Sequence, residues 1–127
     1  MQARLAELEQ AGLLDNTIVI WATDHGDGLP RGKRSIYDSG LHVPMIIRFP
    51  DGRQAGEADD RMISFVDLAP TILDLCGVTK PTERNGLALK PYDGTSFVPV
   101  LTDPDAPSQH VEQYTEMVGH RGFYRDG

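Results

Sequence analysis

Apolar residues in this chain fall into short blocks separated by long polar stretches, and the spacing within each block predicts an element. Over residues 2–11, Leu5, Leu8 and Ala11 recur at three-residue intervals among good helix formers, which predicts a helix. Gly12 is its natural stop, and Asp15-Asn16 marks a turn. Residues 17–22 form a continuous apolar, β-branched run, the pattern of a strand buried on both faces in a parallel sheet. Residues 23–40 are polar and irregular, and so long a connection is functional or disordered. Residues 43–49 predict a second strand, with Pro44 at its start and a Pro50-Asp51-Gly52 turn after it. Asp67 predicts the cap of a helix running to Cys76, with Pro70 in its first turn and Gly77 closing it. Val66, Leu68, Ile72, Leu73, Leu75 and Cys76 would form its buried side. Residues 78–107 are loop-rich. Residues 112–118 and Phe123-Tyr124 predict strands, and Asp126-Gly127 is a hairpin-turn dipeptide.

Composition narrows the function more than the fold. The 127 residues suffice for one modest domain. A formal net charge of -7 argues against nucleic-acid partners and against anionic membrane surfaces. The single cysteine, Cys76, excludes an internal disulfide, and its apolar neighbours predict a buried, inert thiol. No apolar run approaches the roughly 20 residues needed to span a bilayer. The polar, helical N-terminal stretch has no signal-peptide core, so the chain as written is expected to be cytoplasmic.

The candidate chemistry lies where the first strand ends. Asp24 offers a hard carboxylate and His25 a borderline imidazole nitrogen, and ligands gather at the carboxyl ends of strands in α/β sheets. Gly26 and Gly28 would give the loop the freedom to aim both groups at one ion. The alternative is a plain turn in which Asp24 accepts backbone bonds and His25 is partly buried. Lys33 and Arg34 follow in the same loop, with Arg31 beside them, either as cations for an anionic substrate or as solvated surface charge. His42 reads as a histidine packed at a strand start, and His110 and His120 have no neighbours in sequence that suggest a site.

Taken in order, these segments resemble the sulfatases of the alkaline-phosphatase-like superfamily. "LAELEQAGLLDNTIVIWATDHGD" is similar to that family's helix, strand and metal loop, and "KRSIYDSGLHVPMIIRFP" to its Lys/Arg-x-x-x-Tyr segment and next strand. "ISFVDLAPTILDLCGV" resembles a family helix, and "DGTSFVPVL" and "HRGFYRDG" fit later elements. The resemblance implies a partial alkaline-phosphatase-like α/β fold, mainly a parallel sheet with flanking helices. Residues 1–78 would be the tail of the α/β domain and 79–127 the start of a C-terminal subdomain. It further implies metal-dependent hydrolysis of a small-molecule sulfate ester. Asp24 and His25 match the metal ligands and Lys33 a basic catalytic residue that contacts the transferred group. Calcium is the expected ion; manganese or another transition metal is the alternative, because relatives with Asp-His include phosphonate and phosphate ester hydrolases. The family's nucleophile motif, Cys/Ser-x-Pro-x-Arg, does not occur in these residues. The chain alone is therefore expected to be inactive, to be the piece of a longer enzyme or a non-catalytic remnant, and to self-associate through exposed strand edges.

Overall fold

The computed structural model of the protein describes residues 2–125, so the Asp126-Gly127 turn dipeptide lies outside the described residues. Two compact units divide the chain. Among the described residues, one holds 2–58 together with Tyr114–Phe123; the other holds Asp59–Gln113 with Tyr124 and Arg125.

In the first unit, helix α1 (Gln2–Gln10) ends at Gly12, whose φ of 67° is the left-handed conformation that glycine adopts without strain. The Leu13 N–H reaches back to the Leu8 carbonyl at 2.9 Å and the Gly12 N–H to the Glu9 carbonyl at 2.9 Å, so two carbonyls at the helix end are satisfied. Strand β1 (Val19–Ala22) pairs with β2 (Met45–Arg48) in the register Val19↔Arg48 to Ala22↔Met45. The pairing is antiparallel, and no parallel sheet forms among the described residues. A parallel crossover would have to carry the chain back along the strand. Here the only helix of the connection, α2 (Asp38–Leu41), is a single turn, and the chain re-enters beside the point where it left. Nor is β1 buried on both faces. Trp21 is 44% exposed and its cross-strand partner Ile46 50% exposed, so one face of the ribbon is uncovered among the described residues. Among the described residues the buried apolar residue of this unit is Phe49, and the Arg53 guanidinium covers its ring at 4.0 Å.

The second unit is organised around a buried carboxylate. A short 3-10 turn (Phe65–Asp67) leads into α3 (Leu68–Leu75). The Asp67 side chain does not cap α3; it reaches back to accept the Ser64 N–H at 2.8 Å and closes a reciprocal capping box on the preceding turn. Its other oxygen accepts the Thr95 N–H at 2.8 Å, and His110 Nε2 sits 2.6 Å from Oδ2. Asp67 is fully buried, and all its partners lie in this unit. Thr71, also buried, donates to the Asp67 carbonyl and accepts the Phe97 N–H at 3.0 Å. This fixes Phe97, which forms the apolar core with Val100 of α4 (Val98–Thr102) and Ala106.

The apolar side predicted for α3 is only partly realised. Leu68, Leu73 and Leu75 are half-buried, whereas Val66, Ile72 and Cys76 are exposed. Cys76 is thus an exposed thiol rather than a buried one. Gly77, at φ 64°, stops α3 as Gly12 stops α1, with Val78 N–H bonded to the Leu73 carbonyl at 2.8 Å. Arg61 donates to the carbonyls of Val100, Asp103 and Ala106 while Asp59 holds its guanidinium, tying the α4 region to residues 59–61. The chain also forms two ribbons, β3 (Glu83–Arg84) with β4 (Leu87–Ala88) and β5 (Glu112–Met117) with β6 (His120–Arg125).

Removing the Asp67 carboxylate leaves the Ser64 and Thr95 N–H groups and the His110 ring without their buried acceptor. Asp67→Ala is expected to destabilise the second unit by about 3 kcal/mol or more, measured by urea denaturation; a loss under ~1 kcal/mol would contradict the network. The hydrogen bond from Arg61 holds the Asp59 carboxyl below the ordinary value of 3.8, with partial burial opposing it. A lowered carboxyl stabilises the fold above its unfolded value, and that contribution disappears as pH falls through the folded one. Asp59→Asn should therefore flatten the loss of stability below pH 3.8 in a pH series of the same denaturation curves. An unchanged acid branch would show that the pair contributes nothing.

Candidate metal and substrate site

The loop after β1 folds back on itself through backbone contacts. The Gly26 N–H bonds to the Gly40 carbonyl at 3.1 Å, the Lys33 N–H to the Asp27 carbonyl at 2.6 Å, and the Ser39 hydroxyl to the Arg31 carbonyl at 2.7 Å. The approach at Gly26 is so close that a Cβ there would lie 1.8 Å from the Ser39 carbonyl oxygen. At Gly40, which is buried, a Cβ would lie 2.5 Å from the Gly32 carbonyl oxygen. Gly28 is different: a side chain there meets nothing within 4 Å. The glycines this loop needs are therefore Gly26 and Gly40, together with the buried Gly32, where a Cβ would lie 2.4 Å from the Asp27 carbonyl oxygen. Sequence pattern alone points to Gly26 and Gly28 for that freedom.

Asp24 and His25 sit at the neck of this loop, immediately beyond β1. His25 Nε2 lies 3.5 Å from Asp24 Oδ2. The carboxylate is 88% exposed and the ring 36% exposed, so both are open to a ligand from solvent. The other ring nitrogen, Nδ1, lies 2.6 Å from the Gly26 carbonyl oxygen. A carbonyl can only accept, so Nδ1 carries the proton and, in the neutral ring, Nε2 presents its lone pair. Two acceptors then face each other, an arrangement that either a shared cation or a second ring proton resolves. The donor set, one carboxylate oxygen and one imidazole nitrogen, fits a divalent ion, but Asp24 and His25 are only part of a coordination shell. Among the described residues, no group of three or more His, Cys, Asp or Glu side chains is placed to hold a metal.

Lys33 lies in the same loop with an exposed side chain, and no hydrogen bond or ion pair joins it to Asp24 or His25 among the described residues. Arg31 and Arg34 adopt positive φ, 69° and 63°, and the Arg31 guanidinium lies over the Tyr37 ring at 5.4 Å. His42 is not packed at the strand start; its ring is 81% exposed and lies 3.5 Å from Asp38 on α2. His110 does have a neighbour, the buried Asp67, at 43 residues' separation, which no local pattern signals.

Comparison with known proteins defines the class. A profile of the sulfatase family matches residues 2–78. The chain is 57% identical over 81 residues to an ulvan-active sulfatase of Formosa agariphila, covering 64% of this chain and 13% of that protein. It is 40% identical over 88 residues to an N-acetylglucosamine-6-O-sulfatase of Bacteroides thetaiotaomicron (66% and 16%), and 38% identical over 94 residues to arylsulfatase K of Bos taurus (71% and 17%). The chain belongs to the sulfatase family. Membership carries the alkaline-phosphatase-like fold of that family, of which this chain contains helices and small antiparallel ribbons. It spans 13% to 17% of the length of these relatives. No helix among the described residues is long and apolar enough to cross a membrane.

Proposed function

We propose that this chain supplies part of the active centre of a sulfuric ester hydrolase acting on small-molecule sulfate esters. The observation that carries the reading is the convergence of Asp24 Oδ2 and His25 Nε2 at 3.5 Å just beyond β1, in a chain of the sulfatase family. Asp24 and His25 would hold a divalent cation: calcium, as the family resemblance suggests, or manganese or another transition ion, which the nitrogen ligand suits better. When bound, such a cation polarises the ester oxygen. Lys33, exposed on the same loop, would meet the anionic sulfate and stabilise its charge. Residues 1–78 would then be the end of the hydrolase domain and 79–127 the start of the following subdomain. In the fuller protein, β1 and β2 would join a mainly parallel sheet that covers Trp21 and Ile46.

The same ligand pair suits a phosphate or phosphonate ester hydrolase, and the imidazole favours that second reading over an all-oxygen site. Profiling a longer enzyme that carries this segment on sulfate and phosphate esters separates the two. In that enzyme, Asp24→Ala should lower sulfate ester turnover by more than about 100-fold. Cys76→Ala, at an exposed thiol, should change it little. Equal losses would undo the site. The 127-residue chain by itself should show no turnover of an aryl sulfate, because it holds no Cys/Ser-x-Pro-x-Arg nucleophile. The outer edges of the β1–β2 ribbon are unpaired among the described residues, so the chain should also self-associate as concentration rises. Sedimentation showing a monomer at every concentration would contradict this.

A further inference from the structure

We infer that Gly26 is a positioning residue for the cation site, acting through His25, and that the Ser39–Gly40 backbone holds it in place. The inference rests on the reading of Asp24 and His25 as ligands. An imidazole has two nitrogens and, when neutral, one proton between them, so its value as a ligand depends on which nitrogen is bare. Here the choice is made by the Gly26 carbonyl, which accepts the Nδ1 proton at 2.6 Å and leaves Nε2 facing Asp24.

That carbonyl lies on the Gly26–Asp27 peptide and can act only if the Gly26 residue that carries it is held in place. The Gly26 N–H is fixed by the Gly40 carbonyl at 3.1 Å, and the Gly26 Cα lies against Ser39 so tightly that a Cβ would overlap its carbonyl oxygen at 1.8 Å. The overlap is with backbone, which cannot rotate away as a side chain can. Gly40 is itself buried, with the Gly32 and Ser35 carbonyl oxygens 2.5 and 2.6 Å from where its Cβ would be. A methyl group at position 26 must push the Ser39–Gly40 segment aside, and the carbonyl that orients His25 turns with it. At Gly28, two residues on, a methyl group meets open space.

The test uses the 127-residue chain at a pH where the ring is neutral. Nitrogen–proton correlation spectra of the His25 ring, identified by their loss in His25→Gln, should show the proton on Nδ1; a proton on Nε2 overturns the inference. Added Mn2+ should broaden the His25 signals in the wild type and in Gly28→Ala alike. Gly26→Ala should need about 10–100-fold more Mn2+ for the same broadening and should lose the single Nδ1-protonated form. Equal sensitivity of Gly26→Ala and the wild type also overturns it. If Gly26→Ala does not fold, the wild-type tautomer decides. A wild-type ring insensitive to Mn2+ in this chain, which holds only part of the shell, leaves the tautomer to decide the role of Gly26, and the ligand reading stands or falls on Asp24→Ala in the longer enzyme.

Discussion

The contact of Gly26 with the Ser39–Gly40 backbone closes the neck of the loop between β1 and β2, and most of the first unit follows from it. A chain that leaves a strand and is pinned back beside its point of departure can enter the next strand only in the reverse direction. That is the physical origin of the antiparallel register running from Ala22↔Met45 to Val19↔Arg48. The same closure keeps Asp24 and His25 at the neck and sends Lys33 around the loop, where its N–H is held by the Asp27 carbonyl. Backbone packed on backbone loses few side-chain rotamers, so a long polar loop can be ordered without an apolar core of its own.

The second unit solves the same problem with a side chain. Few of its apolar residues are buried: Phe97, Val100 and Ala106. Segments far apart in sequence are instead gathered on Asp67, which ties Ser64, Thr95 and His110 to one carboxylate. Buried polar hubs of this kind stabilise only when every member is satisfied, and no buried side-chain nitrogen or oxygen lacks a hydrogen-bond partner among the described residues. A core this small makes the arrangement specific, because moving any one partner leaves the fully buried Asp67 carboxylate short of a hydrogen bond.

What the sequence made legible was local. Both glycine helix stops, the two strands and the turn at Gly52 are written in neighbouring residues, and each appears where its pattern predicts. The Asp24-His25 pair was legible because both members stand together after an apolar run. The parallel sheet was not a safe reading, since a short apolar run gives a strand but not the direction of its neighbour. The role of Gly40 was invisible because a close approach between residues fourteen apart leaves no periodic mark. The same holds for His110, whose partner lies 43 residues away, and for Cys76, which is exposed although Leu73 and Leu75 beside it on α3 are half-buried.

On the proposed ligand role of His25, a histidine as second donor accounts for a loop built this tightly. A carboxylate or amide oxygen carries two lone pairs and tolerates a loosely held peptide, because a small rotation exchanges one lone pair for another. Neutral imidazole offers one bare nitrogen in one direction, and the wrong tautomer offers a proton there instead. A loop that presents imidazole must therefore fix a hydrogen-bond acceptor behind the ring as firmly as it fixes the ring. In this chain the acceptor is the next peptide along, that of Gly26, and the firmness comes from the strand-side end of the loop pressing against its far end at Ser39 and Gly40. On that proposed role, His25, the glycine that follows it and the direction of β2 meet one constraint three times.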